Sequence, residues 1–264
     1  MNRIQEENVK TEMIGRKQIT TIQPETKYRL LHVIEKLASH VEMPVLDRWR
    51  SLSDEELWHH IVTQVCVMGS ALPMEKLHHT GENVAFESAL SLSTLSTKLD
   101  KVSYIERQLI KFKATRFQKK AALRLAAAAA NSGLIQGNRV VLLNGLLHDG
   151  ADVIREELLR RTKFLFKRKS VSDFMIAVGL SNDVIALDQR VVGLLNKHFN
   201  YNRNFSSVQA SRSIYLSVED CLRCICKEAN ITLGNLDRML FKFAGLTAVE
   251  YLARFDISNK DESF

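Results

Sequence analysis

The residues best suited to chemistry lie in the segment KFLFKRKSVSDFMIAVGLSNDVIALDQRVV. Lys167, Arg168 and Lys169 form a short basic link between two helical patterns, and Asp188 follows one helix later. A lysine that opens a helix among other cations is a candidate amine nucleophile, because neighbouring positive charge favours its neutral form. A carboxylate folding back toward it can stabilise an oxocarbenium-like centre on a sugar. Displacing a base from an anomeric carbon needs those two parts. Two helices hinged by a short basic link can also present backbone N–H groups, Lys and Arg to a DNA phosphate. The plainer alternative is a solvent lysine and an aspartate that caps a helix, and Lys167 competes with Lys169 for the amine's role.

The elements that must position these groups are helical. Of 264 residues, 3 are Pro and 11 are Gly, and long stretches are rich in Leu, Ala, Lys, Arg and Glu. Apolar residues recur at three- and four-residue steps from Thr26 through KYRLLHVIEKLASHV. Ser53-Asp54-Glu55-Glu56 has the form of a capping box and opens ELWHHIVTQVCVMGSA. Further helices are expected over roughly 85–99, in RFQKKAALRLAAAAANSGLI, and in NRVVLLNGLLHDG, DVIREELLRRTKFLF, KSVSDFMIAVG and VIALDQRVVGLLNKHF. VEDCLRCICKEA and TLGNLDRMLFKFAG close the fold. No segment alternates in the manner of a strand for long. The expectation is all-α.

The composition, 45% hydrophobic and 25% charged, excludes wholesale disorder. No apolar run approaches the length of a membrane span, and the opening residues lack the apolar core of a signal peptide, so a cytoplasmic protein with no membrane association is expected. The net charge of +7 is concentrated. Arg107, Lys111, Lys113, Arg116, Lys119, Lys120 and Arg124 follow one another without an acid. Arg155, Arg160, Arg161, Lys163, Lys167, Arg168 and Lys169 are set against Glu156 and Glu157. Two such runs point to a polyanion. Cys221, Cys224 and Cys226 have no fourth ligand nearby and read, with Cys66, as small buried hydrophobes. The pairs His59-His60 and His78-His79 read as surface residues, so no metal and no cofactor are expected.

Several segments, in order, resemble the helix-hairpin-helix DNA glycosylases, specifically the 8-oxoguanine DNA glycosylase/AP lyases of the type-two and archaeal branches. SDEELWHHIVTQVCVMGSA is similar to their early helix ending in small polar residues. Arg116-Phe117-x-x-Lys120-Ala121 looks like their Arg-Phe-x-x-Lys-Ala motif. Lys169-x-x-Ser172-x-Phe174, then Val178-Gly179, then Ile185-Ala186-Leu187-Asp188 resembles the Schiff-base lysine helix and the catalytic aspartate. Leu236-Asp237-x-x-Leu240-Phe241 looks like the C-terminal Leu-Asp-x-x-Leu-Trp helix. The resemblance spans roughly residues 45–245.

The resemblance implies a two-domain all-α fold with the active site in an interdomain cleft. The expected organisation is a tail or fraying helix over 1–25, a first helical part over 26–80, and a helical barrel over 81–187 that holds the hairpin at about 152–179. Residues 188–264 then return to the first domain and end in a tail. The resemblance makes Lys169 the nucleophile and lyase residue and Asp188 the catalytic carboxylate. It places Lys167, Arg168, Arg116, Lys120, Gly69, Ser70 and Arg190 against DNA, and Asp237, Phe241 and Met68 at the base pocket. The implied partner is double-stranded DNA carrying a modified base, bound by a monomer that flips the base out in base excision repair. Three departures stand out. The hairpin has no glycine, Arg190 replaces a His, and Phe241 replaces the pocket Trp. They leave open excision of another modified base, including a hypermodified phage base in antiviral defence. A catalytically silent DNA-binding module is the remaining alternative.

Overall fold

Ser53 opens a helix as its spacing requires. Its Oγ accepts the Glu56 N–H at 3.3 Å, while the Glu56 carboxylate accepts the Ser53 N–H at 2.7 Å. The closed capping box satisfies two donors that would otherwise lack partners. The Ser53 N–H, together with the Ser53 hydroxyl donating to the same carboxylate at 2.7 Å, holds the Glu56 carboxyl below its ordinary range.

The computed structural model describes residues 24–38, 41–42, 44–146, 150–162, 164–199 and 204–243. The expected N-terminal tail before Pro24 and the C-terminal tail lie outside them. The helices are α1 (Pro24–Leu37), α2 (Asp54–Cys66), α3 (Leu72–Thr80), α4 (Asn83–Ala89), α5 (Leu92–Ser96), α6 (Lys101–Lys111) and α7 (Gln118–Ala129), then α8 (Ala151–Arg161), α9 (Arg168–Ala177), α10 (Gln189–Phe199), α11 (Phe205–Ala210), α12 (Arg212–Glu228) and α13 (Leu233–Phe243). Two short strands, β1 (Ile135–Gln136) and β2 (Arg139–Val140), pair antiparallel with Ile135 opposite Val140. No described helix is long and apolar enough to cross a membrane.

Two expectations about helices are corrected. The stretch over 85–99 is two helices, because Ser91 turns extended and its side chain caps α5 by accepting the Thr94 N–H. NRVVLLNGLLHDG opens as strand β2 rather than as helix, since Gly137 takes a left-handed φ of 61° in a two-residue turn with Asn138.

The chain divides into two compact units, residues 45–181 and the residues before 45 together with those after 181. Residues 54–80, read from the sequence with the first helical part, cluster instead with 81–181. The bonds of α2 explain this. Trp58, fully buried, donates its Nε1–H to the Leu90 carbonyl at 2.7 Å, and Glu55 accepts the N–H groups of Leu92 and Ser93 at the start of α5. Helix α2 buries Leu57, Ile61, Val62 and Val65 and packs on α7, α9 and β2. Gly179 closes this unit. Its φ of 69° suits glycine, and a Cβ there would lie 2.0 Å from the Val45 carbonyl oxygen.

The other unit has its own core. Leu30 and Ile34 of α1 meet Val191 and Val192 of α10, Tyr215, Val218, Leu222 and Ile225 of α12, and Leu236, Met239 and Leu240 of α13. Ile185 and Leu187, from the irregular segment before α10, are part of that core.

Candidate active site

A buried segment without regular structure must find partners for its backbone in side chains. Residues 185–187 do so. The Ile185 N–H donates to Glu219 at 3.1 Å, the Ala186 N–H to Asp237 at 2.7 Å, and the Leu187 N–H to the Tyr215 hydroxyl at 3.1 Å. That hydroxyl donates to the Ile185 carbonyl at 2.6 Å, and Gln209 donates to the Leu187 carbonyl at 2.7 Å. Glu219 and Tyr215 are fully buried. Sequence reading missed Glu219, Tyr215 and Gln209. A buried acid inside the apolar stripe of α12 was the available signal.

This bracing delivers Asp188 to the start of α10. Its Oδ1 accepts the N–H groups of Arg190 at 2.9 Å and Val191 at 3.0 Å. Its Oδ2 takes the Arg190 guanidinium, with Nε at 2.8 Å and Nη2 at 2.7 Å. The capping role weighed as the plainer alternative is therefore present. The side chain also keeps 19% of its surface exposed, so the carboxylate has an open side. The Arg190 guanidinium lies 5.2 Å from the centre of the Phe241 ring. Asp188, Arg190 and Phe241 are thus brought together. Asp237 sits one helical turn before Phe241, buried, and spends one oxygen on the segment that ends in Asp188.

In the other unit, α8 and α9 form a helical hairpin around Arg155, whose fully buried guanidinium bonds Asp152 at 3.0 Å and the Ser172 hydroxyl at 3.2 Å. Ser172 of the Lys169-x-x-Ser172 pattern therefore ties the two helices together. The link runs through Thr162, whose carbonyl accepts the N–H groups of Leu165 at 2.7 Å and Phe166 at 2.9 Å. Leu165 and Phe166 are buried, and the Phe166 ring packs on Phe174 at 6.0 Å between centroids.

Lys169 stands in the first turn of α9, half-buried, with Nζ 3.3 Å from Asp173 Oδ2. The amine expected among cations has a carboxylate beside it. Arg168 is turned to Glu156, and the amine is held in an ion pair. Lys167 is exposed at the N-cap. Asp173, one turn along from Lys169, was not singled out in the sequence.

Two further groups meet in this unit. Gly69 follows α2 with a φ of 85°, and a Cβ on it would lie 2.7 Å from the Phe117 ring. Met68, half-buried, contacts the Arg124 guanidinium of α7 through its sulfur. Ser70 closes the turn by donating its N–H to the Val67 carbonyl at 3.2 Å. Arg116 and Lys120 are exposed at the start of α7. The two motifs are therefore adjacent, and the exposed apolar residue between them is Phe117, 51% accessible and laid over Gly69.

Cys66 and Cys226 are buried as expected, Cys221 is partly buried and Cys224 is exposed. Burial pushes the thiols of Cys66, Cys221 and Cys226 up to about 12. His78 and His79 are exposed, whereas His59 is half-buried and its Nε2 lies 3.0 Å from the Glu87 carbonyl. Among the described residues no group of three or more His, Cys, Asp or Glu is placed to hold a metal ion.

No protein-family model matches the chain, and no curated protein matches it. Its structure is similar to the crystal structure of 8-oxoguanine DNA glycosylase from Methanocaldococcus jannaschii, with a TM-score of 0.55 over 88% of this chain and 94% of that one, at 20% identity. The all-α architecture expected from the sequence is the architecture found, and it is the fold of that protein.

Proposed function

We propose that the chain is a DNA N-glycosylase with AP lyase activity, acting on a modified base in double-stranded DNA. The observation that carries this reading is the likeness in fold, across most of both chains, to a solved 8-oxoguanine DNA glycosylase. An amine at the start of α9 and a carboxylate at the start of α10 fit the chemistry. In this mechanism the duplex yields the modified nucleotide to the enzyme. Lys169, once it has left Asp173 and given up its ammonium proton, attacks C1′ through Nζ as the bond to the base breaks, and the base departs with the bonding electrons and takes up a proton. Asp188 stabilises the positive charge that develops on the sugar. The C1′–O4′ bond then breaks, O4′ takes up a proton, and the nitrogen lone pair forms the C=N bond that leaves the lysine joined to C1′ as a Schiff base. Loss of a C2′ proton eliminates the 3′ phosphate and nicks the strand.

The first substrate is 8-oxoguanine. A second reading, excision of a different modified base, including a hypermodified base of phage DNA, draws support from Arg190 and Phe241. These residues replace the His and Trp of the resembling family and stack on one another beside Asp188. A panel of duplexes, each with one modified base, separates the two. Release of 8-oxoguanine at a rate well above the rest supports the first reading, and preference for another base supports the second. Borohydride trapping on an abasic duplex tests the whole. A covalent adduct that disappears in Lys169→Ala supports the enzyme, and its absence in the unaltered protein leaves a silent DNA-binding module.

A further inference from the structure

The two basic stretches look alike as sequence and differ as structure. In the second, Arg155 is bound to Asp152 and Ser172, Arg160 and Arg161 share Glu157, Arg168 pairs with Glu156, and Lys169 with Asp173. The two guanidiniums on Glu157 draw its carboxyl down to about 2. Each of those cations has a carboxylate partner in the α8–α9 hairpin. The hairpin link also withholds its donors, because the N–H groups of Leu165 and Phe166 both end on Thr162. Among the described residues of the link, 164–167, the cation a phosphate meets is Lys167.

In the first stretch Arg107, Lys111, Lys113, Arg116, Lys119 and Lys120 are all exposed, and none has a carboxylate within ion-pair distance among the described residues. Lys111 ends α6, Lys113 takes a left-handed φ of 51° in the turn, Arg116 follows it, and Lys119 and Lys120 stand in the first turn of α7. Five cations therefore crowd the tip of one helical hairpin. The placement costs stability. Helix α7 starts with no side-chain cap and no acid in its first turn, although its free N–H groups already carry partial positive charge. Other helices of this unit place acids there, such as Asp54, Glu55 and Glu56 in α2. A polyanion relieves such self-repulsion.

We infer that the tip of the α6–α7 hairpin is the main duplex-phosphate clamp of this chain, in place of the α8–α9 hairpin. The inference rests on the reading of the chain as an enzyme of double-stranded DNA. It adds Arg107, Lys111, Lys113 and Lys119 to the DNA-facing surface and directs them to backbone phosphates rather than bases. The ammonium heads of Lys111, Lys113 and Lys119 are point charges on flexible stems, suited to phosphate oxygens. The clamp adjoins Phe117, so it fixes the duplex beside the exposed ring over Gly69.

The test is the salt dependence of binding to an undamaged DNA duplex, read by fluorescence anisotropy. Each phosphate that the protein no longer neutralises flattens the log–log slope by about 0.9. The variant Lys111→Gln/Lys113→Asn/Lys119→Gln uses Asn where φ is positive, and its unfolding midpoint confirms that it folds. Its slope is expected to be shallower by about 2.7, the value for three phosphates, while Arg160→Gln, at a cation already paired with Glu157, leaves the slope unchanged. An unchanged slope in the triple variant overturns the clamp, as does a larger flattening in Lys167→Gln/Arg168→Gln. Equal competition by an RNA duplex overturns its assignment to DNA. Base release and borohydride trapping by the unaltered protein separate the two failures. A steep slope that the triple variant flattens, without release of any base, sustains the clamp and sinks the enzyme reading. Base release with an unchanged slope does the reverse.

Discussion

Arg190 grips Asp188 through two nitrogens, Nε at 2.8 Å and Nη2 at 2.7 Å, while the other oxygen of the same carboxylate caps α10. One side chain therefore holds a structural position and a proposed catalytic one.

The two roles come apart by substitution. Asp188→Asn keeps an Oδ1 that can accept the Arg190 and Val191 N–H groups, so α10 stays capped. Asp188→Ala loses the cap and about 1 kcal/mol of stability. Both are expected to slow base release by about 100-fold or more. Single-turnover release and denaturant unfolding on the pair decide. An Asn variant as fast as the unaltered protein means that Asp188 is a cap and nothing further.

Lys167 and Lys169 are distinguished by their surroundings, one exposed at the N-cap and one paired with Asp173. Borohydride trapping is expected to vanish in Lys169→Ala and persist in Lys167→Ala. The reverse pattern transfers the nucleophile to Lys167. In Asp173→Asn the adduct still forms but at an altered rate, because the amine no longer starts from an ion pair.

Much of the fold was legible because helix periodicity and capping are local. Ser53 and Glu56 close their box within one turn, and Asp188 lies one helix beyond Lys169 by chain order alone. What was not legible depends on distant partners. Tyr215 meets Ile185 and Leu187 across about 30 positions of chain, and Trp58 reaches the Leu90 carbonyl across a similar span. Neither pairing leaves a periodic trace. The pairing of the second basic run was hidden for a related reason. Two of its acids, Asp152 and Asp173, lie just outside the run, and only the folded hairpin shows that Arg155, Arg160, Arg161, Arg168 and Lys169 have carboxylate partners. The Ile135–Val140 hairpin was missed although Gly137-Asn138 is a turn signal, because its strands are too short to alternate.

Tyr215 braces the approach to Asp188 by donating to one backbone carbonyl and accepting one backbone N–H, both buried. Tyr215→Phe leaves both without that partner, at about 1–3 kcal/mol for each buried group. The expected loss is about 2–6 kcal/mol in denaturant unfolding. A loss below about 0.5 kcal/mol removes the hydroxyl from the bracing.

Phe117 is exposed, so Phe117→Ala is expected to change stability by less than about 0.5 kcal/mol. If the ring enters the duplex beside the flipped nucleotide, base release from duplex DNA falls while trapping on a single-stranded abasic site is retained. Gly69→Ala tests the support beneath it. A Cβ there meets the ring at 2.7 Å in a left-handed backbone, so that variant is expected to lose about 1–2 kcal/mol and to share the duplex defect. Equal loss on both substrates by Phe117→Ala places the ring elsewhere in the reaction.

Glu157 couples the α8–α9 hairpin to pH. Arg160 and Arg161 both bond its carboxylate, and Arg161 also donates to the carbonyls of Leu142 and Asn144. The carboxyl is lowered from 4.5 to about 2 in the folded chain. A depressed carboxylate adds stability above its unfolded value, and that stability drains away as the pH falls through the folded one. Thermal unfolding of the unaltered protein and Glu157→Gln is therefore expected to differ most at neutral pH. The gap between the two midpoints narrows from about pH 4.5 downward and is nearly closed at pH 2. A gap that is constant over this range removes the ionised carboxylate as the cause, and one that widens reverses the sign of the coupling.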